Sequence, residues 1–377
     1  MSHRMLIVFG TRPEAIKMAP VVHAMSADDA FDVTIAATAQ HREMLDQVLD
    51  LFSVVPDYDL DIMEHGQSLT QVTTRVLEGI GAILEESAYD AVVVHGDTTT
   101  TLATALAAFY HGVPIAHVEA GMRSGDLSRP FPEEANRMLV ARLTHWNFAP
   151  SDTCVRNLIA EGVDPKRVYR TVGNTVVDAL SFAAAKPYEF PLGPVRSAIE
   201  SGRRIVLVTA HRRESWGGPI ENIFRAVRKL AFLHPDVQFL VAAHSNPVVT
   251  LVAERVLRGV EGVTLIGAQE YLPFVKLMSH ADLILSDSGG IQEEGPAVGS
   301  PVLVLRDVTE YKELLEAGAV ALAGTDERRI VEAASSLLGD KKSLMRMAEA
   351  GAARVRSGAS QEVVGVLKKE LGAETPR

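Results

Sequence analysis

Short apolar runs recur along the chain, each followed by a segment whose apolar positions have helical spacing. In the first half the runs are Met5–Phe9, Val33–Ala37, Ala91–Val94, Ile115–Val118, Trp146–Ala149 and Arg167–Thr171. In the second they are Ile205–Val208, Phe239–Ala242, Thr264–Ile266, Leu283–Leu285, Val302–Leu305 and Val320–Leu322. They are rich in Val and Ile, as expected of strands covered on both faces of a parallel sheet. Between them, Ala15–Met25, Leu69–Glu86, Thr99–His111, Glu133–Leu143 and Ile220–His234 predict helices. The alternation predicts an α/β fold of two similar doubly wound units in tandem. Only the rhythm repeats; no sequence repeat relates the halves.

Length agrees with two domains, because 377 residues exceed one comfortable core. The proline-rich stretch Lys186–Pro194 breaks helix and reads as a connection, with Gly173–Val176 as the alternative hinge. We place the domains at 1–175 and 176–358. A final helix, Gln361–Leu371, is expected to pack back on the first domain. The 47% apolar content argues against disorder. The most apolar region, Ala91 to Val118, is broken by His95, Asp97, His111 and His117, so no run reaches membrane-spanning length. Met5–Phe9 is too short for the core of a signal peptide. A single cysteine, Cys154, excludes an internal disulfide and a multi-cysteine metal site. These features predict a cytoplasmic protein. A net charge of −11 disfavours a nucleic-acid platform.

Ligands of open α/β sheets bind beyond the carboxyl ends of the strands, and the unusual polar clusters fall there. After the first strand comes Gly10-Thr11-Arg12-Pro13-Glu14-Ala15-Ile16-Lys17. Arg12 and Lys17 sit near a helix start, where cations oppose the helix dipole, so they suit anion binding better than helix stabilisation. Asp97 follows the third strand; the plainer reading is that it or a neighbouring threonine caps the next helix. Glu119 ends the fourth strand, where a carboxylate is costly unless paired or functional. Glu133 and Glu134 open a helix and have dipole pairing as their plainer role. In the second half, His211, Arg212 and Arg213 cluster at a strand end and suit diphosphate charge. His244 is a weaker signal. Gln269 and Phe274 suit a flat heterocycle, although core packing explains Phe274 equally well.

The strongest signal is Asp282-Leu283-Ile284-Leu285-Ser286-Asp287-Ser288-Gly289-Gly290-Ile291-Gln292-Glu293-Glu294, an apolar strand that stops at paired glycines. Without a Cβ the backbone approaches a ligand closely. Ser288 and the free N–H groups of the next helical turn make a phosphate seat, and one of the two glutamates is placed for a ribose. The bland alternative is a helix turn capped by Ser288. No GxGxxG, Walker A, GxSxG or metal-ligand spacing occurs, so neither a metal nor a dinucleotide cofactor is expected.

Seven motifs occur in one order: Gly-Thr-Arg-Pro-Glu-Ala-Ile-Lys (10–17), Gln-His-Arg-Glu-Met-Leu-Asp-Gln (40–47), Val-His-Gly-Asp-Thr-Thr (94–99), His-Val-Glu-Ala-Gly (117–121), Pro-Glu-Glu-Ala-Asn-Arg (132–137), His-Arg-Arg-Glu-Ser (211–215) and Asp-Ser-Gly-Gly-Ile-Gln-Glu-Glu (287–294). In this the chain resembles the bacterial non-hydrolysing UDP-N-acetylglucosamine 2-epimerases, over residues 5 to 330. The resemblance implies the glycosyltransferase-B type fold, two Rossmann-like domains facing across a cleft, and a homodimer. It implies interconversion of UDP-GlcNAc and UDP-ManNAc for surface polysaccharide. Matched motif by motif, it assigns catalysis to Asp97, Glu119, Glu133 and His211. Substrate contacts fall to Arg12, Lys17, Gln269, Phe274, Ser288, Gly289, Gly290 and Glu294. Residues Gln40, His41 and Gln47 match a region that in some members binds a second, regulatory UDP-GlcNAc. Two places depart from the family. Thr309-Glu310-Tyr311-Lys312-Glu313 replaces Thr-Glu-Arg-Pro-Glu, so position 311 supplies no guanidinium, and Arg354–Gly358 stands near the place of a missing Pro-Tyr-Gly-Asp-Gly. Rival readings are a transferase of the same fold, a non-catalytic UDP-sugar binder, and an epimerase for a related UDP-hexosamine.

Overall fold

Parallel pairing of the Val- and Ile-rich runs builds two sheets, one in each of two compact units. The computed structural model describes residues 2–38, 42–64, 66–210, 212, 217–243, 246–309 and 311–373. Unit 1 is Met1–Ala179 with Ser357–Arg377, and unit 2 is Leu180–Arg356. Among the described residues no helix is long and apolar enough to cross a membrane.

Unit 1 runs β1 (His3–Phe9), α1 (Arg12–Ser26), β2 (Phe31–Ala37), α2 (Arg42–Phe52), β3 (Tyr58–Asp59), α3 (Leu69–Glu86), β4 (Ala91–His95) and α4 (Thr99–Tyr110). It continues through β5 (Ile115–Val118), α5 (Glu133–Leu143), β6 (Trp146–Ala149), α6 (Asp152–Ala160), β7 (Val168–Arg170) and α7 (Val176–Ala185). The strand order β3-β2-β1-β4-β5-β6-β7 reverses direction between β1 and β4. Such a switch point is where a doubly wound sheet opens a crevice. Leu6, Val8, Val92, Val94, Val76 and Ile80 lie in the core on one face of this sheet. The two-residue β3 has no apolar run to announce it; it exists through its pairing with Ala36 and Ala37.

Unit 2 contains α8 (Pro194–Glu200), β8 (Arg204–Ala210), α9 (Gly218–Leu233), β9 (Val237–Ala243), α10 (Pro247–Leu257), β10 (Val263–Ile266), α11 (Tyr271–His280) and β11 (Leu283–Ser286). It ends with α12 (Ile291–Ala297), β12 (Val302–Val304), α13 (Lys312–Glu316), β13 (Val320–Leu322), α14 (Glu327–Gly339) and α15 (Lys341–Arg354). Its order, β10-β9-β8-β11-β12-β13, has the same switch between β8 and β11. The proline-rich stretch links α7 to α8 wholly within unit 2; the division between units falls earlier, inside α7. The last helix, α16 (Ala359–Ala373), belongs to unit 1 and packs on α1, where Lys368 reaches Asp28 at 2.8 Å.

The turn after β1 is packed without slack. A Cβ on Gly10 would stand 2.1 Å from Thr38 Oγ1 and 2.5 Å from Thr100 Oγ1, two hydroxyls that hydrogen-bond each other at 3.0 Å. Gly10→Ala is therefore expected to lower the stability of unit 1 by about 1–3 kcal/mol, the usual range for overpacking. Urea denaturation checks this, and an unchanged midpoint would contradict the packing.

Candidate active site

Unit 1 gathers its charged groups at the ends of β1, β4 and β5. Thr11 caps α1 in a capping box with Glu14, but Glu14 does more than cap. Its Oε2 accepts from Gly10 N (3.0 Å), Thr11 N (2.8 Å) and Thr11 Oγ1 (2.8 Å). Its Oε1 accepts from Thr98 Oγ1 (2.6 Å) and Thr101 Oγ1 (3.1 Å). One buried carboxylate thus ties the turn after β1 to the turn after β4. Helix α1 then starts at a defined place, with Arg12 as its first residue and Lys17 one turn further on.

Asp97 does not cap α4; Thr98 does, accepting from Thr101 N at 3.1 Å. The Asp97 side chain instead receives Arg137 Nη2 at 2.5 Å, and its carbonyl receives Asn136 Nδ2 at 2.9 Å. Burial pushes the Asp97 carboxyl up from its ordinary range and the charge of Glu119 adds to this, while Arg137 opposes it; the net direction is up.

Glu119 has the opposite bias. Its backbone is left-handed, φ 65°, which costs a residue with a Cβ about 1–2 kcal/mol. Oε2 receives both Lys17 Nζ and Asn174 Nδ2, and lies 3.7 Å from His95 Nε2. Burial alone would raise this carboxyl, but Lys17 and His95 outweigh it and hold Glu119 well below the usual carboxylate range. Beside it, His117 Nε2 is 2.7 Å from Gly96 O. A carbonyl only accepts, so Nε2 carries the proton. Burial pushes His117 down to about 4, against the pull of that hydrogen bond, and the ring is neutral at pH 7.

Glu133 and Glu134, adjacent at the start of α5, separate in role. Glu134 is buried and takes Ser124 N at 3.0 Å and Gly125 N at 2.9 Å, fixing the loop after β5; it also stands 3.3 Å from Arg137 Nη1. Glu133 Oε2 is buried and accepts no hydrogen bond among the described residues. A cavity of about 10 Å³ lies against Glu119, lined by Phe148, Asn174, Thr175 and Val363. It is far too small to hold a hexose.

Unit 2 presents backbone rather than carboxylates. Thr209 and Ser286, paired in register across β8 and β11, join their hydroxyls at 2.7 Å. Asp287 Oδ2 accepts Arg212 N at 3.0 Å, locking the start of the basic loop to the glycine turn. Ser288 is not a helix cap: α12 starts from Gly290 with no side-chain cap, and Ser288 N donates to Ser286 Oγ at 3.0 Å. The N–H groups of Gly289, Gly290 and Ile291 donate to no group among the described residues. Gly290 has ordinary helical angles, φ −59° and ψ −38°, and a Cβ there would approach nothing nearer than Glu294 Oε1 at 3.5 Å. Folding does not require a glycine at this position.

Gln269 is half-buried and turns back on Gly267 O at 2.9 Å; Phe274 is half-buried on α11. Glu294 lies in the first turn of α12. Tyr311 precedes α13, its N–H on Thr309 Oγ1 at 3.0 Å, and Lys312 is exposed. Gln47 is exposed on α2. His211, Gln40, His41, Arg213 and His244 lie outside the described residues. Within unit 1 the structure brings together Lys17, Asp97 and Glu119, and it adds Glu14, His95, Glu134, Arg137 and Asn174. For Arg137 a signal existed in the sequence: it stands three residues after Glu134 on one helix face.

Residues 23–368 match the family model described as UDP-N-acetylglucosamine 2-epimerase. The protein of that name from Escherichia coli (strain K12) is 52% identical over 352 residues, covering 92% of this chain and 93% of its own. That from Yersinia pestis is 50% identical over 370 residues, covering 97% and 98%. The crystal structure of UDP-GlcNAc 2-epimerase from Neisseria meningitidis bound to UDP-GlcNAc superposes with a TM-score of 0.87 at 44% identity, covering 97% of this chain and all (100%) of the other. With its two parallel-sheet α/β units and a match over most of its length, the chain belongs to the UDP-N-acetylglucosamine 2-epimerase family of isomerases.

Proposed function

We propose that the protein interconverts UDP-N-acetylglucosamine and UDP-N-acetylmannosamine by eliminating and re-adding UDP. The observation that carries this reading is the pair of carboxyl groups with opposite bias, Asp97 pushed up and Glu119 held down. Two carboxyls driven apart by their surroundings take different parts in one reaction.

The C2 proton of the sugar lies beside an acetamido group and is weakly acidic. Cleavage of the C1–oxygen bond to UDP places oxocarbenium character on C1 and acidifies C2–H. Loss of that proton leaves a 2-acetamidoglucal and UDP. A proton delivered to the opposite face of C2, with UDP re-adding at C1, gives the C2 epimer. Glu119, held ionised, stabilises positive charge at C1. Asp97, whose carboxyl burial pushes up from its ordinary range, and Glu133, whose buried Oε2 has no partner among the described residues, move the C2 proton. Arg12, His211, Ser288 and the N–H groups of Gly289 and Gly290 hold the diphosphate. Gln269 and Phe274 hold the uracil, and Glu294 the ribose. Lys17 serves the substrate through Glu119. No cofactor enters the scheme. The same reading carries a homodimer in the cytoplasm and a second, regulatory UDP-GlcNAc at Gln40, His41 and Gln47.

Incubation with UDP-GlcNAc alone in D₂O tests the reaction: deuterium at C2 together with UDP-ManNAc is expected. Unchanged substrate, or UDP and free ManNAc as sole products, rules it out. Asp97→Asn is expected to lose exchange by about 10²–10⁴-fold, the usual range for general acid–base catalysis, while still folding and binding UDP. Loss of folding instead would make Asp97 structural.

Lys17→Met removes the charge that keeps Glu119 ionised, so burial prevails and the carboxylate protonates at higher pH. The acid limb of the kcat/KM profile is expected to move upward; a uniform loss with an unmoved limb would refute the role of Lys17. Gly290→Leu starts from a Cβ that meets nothing nearer than Glu294 Oε1 at 3.5 Å, and its side chain would crowd the diphosphate. UDP binding by calorimetry is expected to weaken by more than about tenfold, or 1.4 kcal/mol. Unaltered affinity would place the diphosphate elsewhere.

A further inference from the structure

Asn174 lies outside every motif that carries the family resemblance, yet it touches the carboxylate of Glu119. Its Nδ2 donates to Glu119 Oε2, the oxygen that also receives Lys17 Nζ. The other end of the amide is fixed as well: Oδ1 accepts Val176 N at 3.1 Å, an Asx turn leading into α7. A backbone N–H only donates, so the amide orientation is determined, and Nδ2 has to face Glu119. The side chain is buried, with the residue 4% exposed.

The strap that carries Asn174 is itself anchored. Thr171 N bonds Ala149 O at 3.0 Å, continuing the sheet beyond β7. Val172 N donates to Glu362 Oε2 of α16 at 2.7 Å. On the far side of Asn174, Asp178 accepts Gly358 N at 2.6 Å, Ser360 N at 2.8 Å and Ser360 Oγ at 2.7 Å. The start of α16 and the residue before it therefore brace the strap on both sides of Asn174.

Lys17 gives Glu119 charge but little direction, because an ammonium on a flexible stem is a point donor. A planar amide locked at its other end supplies direction. We propose that Asn174 is a positioning residue for catalysis: it fixes Oε2 of Glu119 so that Oε1 is presented to the sugar. The inference rests on the reading of Glu119 as a group that acts on the substrate.

Asn174→Asp is the informative variant. Its carboxylate still accepts Val176 N, so the Asx turn persists, while the donor to Glu119 becomes a like charge. UDP affinity is expected to stay near the parent's, while thermal unfolding moves to lower temperature because a second buried carboxylate faces Glu119. The expected kcat is lower by about 10²-fold, the scale of a misplaced catalytic group, with KM little changed and the acid limb of the pH profile displaced upward. Asn174→Ser, whose hydroxyl is too short to reach Glu119, is the second variant, read by the same profile if Asn174→Asp fails to fold. An active parent beside a variant with unaltered kcat and pH profile overturns this inference alone, as does a loss of kcat with an unmoved acid limb. A parent that exchanges no C2 proton in D₂O overturns the epimerase reading, and this inference with it.

Discussion

Glu119 sits largely buried at the end of β5 in left-handed backbone; Lys17 and His95 keep it ionised there, and Lys17 and Asn174 meet it on one oxygen. Much of unit 1 follows from keeping those two donors in place. Lys17 belongs to α1, so the start of α1 has to be fixed; Glu14 does this through its five hydrogen bonds to the turns after β1 and β4. Gly10 has to lack a side chain for the same turn to close on Thr38 and Thr100. The strain at Glu119, about 1–2 kcal/mol for a left-handed residue with a Cβ, is offset locally by charge and hydrogen bonding and aims the carboxylate over Gly96.

The two units share a strand plan and diverge in chemistry at their switch points. In unit 1, side-chain carboxyls converge and are set apart in protonation by their neighbours. In unit 2, the corresponding place offers main-chain N–H groups and the start of a basic loop, with Asp287 spent on Arg212 N to hold that loop to the glycine turn.

Most strands and all five of the named helical segments were legible because each carries its own apolar period. Tyr58–Asp59 was not, since a two-residue strand is defined by its partner alone. Among candidate site residues, the places of Asp97 and Glu119 at strand ends were legible. The division of labour between Glu133 and Glu134 was hidden: both look like acids at a helix start, and only the folded loop shows that Glu134 is occupied by Ser124 and Gly125. Glu14 reads as a capping-box residue because the eye follows local spacing; its partner Thr98 is 84 residues away. Asn174, in Gly173-Asn174-Thr175, looks like any turn asparagine. The left-handed backbone of Glu119 leaves no trace in a sequence, since positive φ is uncommon for any residue but glycine and glutamate is not among the exceptions.

Helix α16 has a consequence for the birth of the protein. Chains fold as they emerge, amino-terminal parts first. Yet unit 1 takes its final helix from Ser357–Arg377, after the whole of unit 2 has been made. On the ribosome the first sheet therefore waits, with the flank of α1 that α16 covers open to water, until residues 359–373 have emerged. Because Glu362 and Ser360 brace the strap beside Glu119, a chain clipped before α16 would keep Lys17 and Glu119 but lose the brace on the strap that carries Asn174.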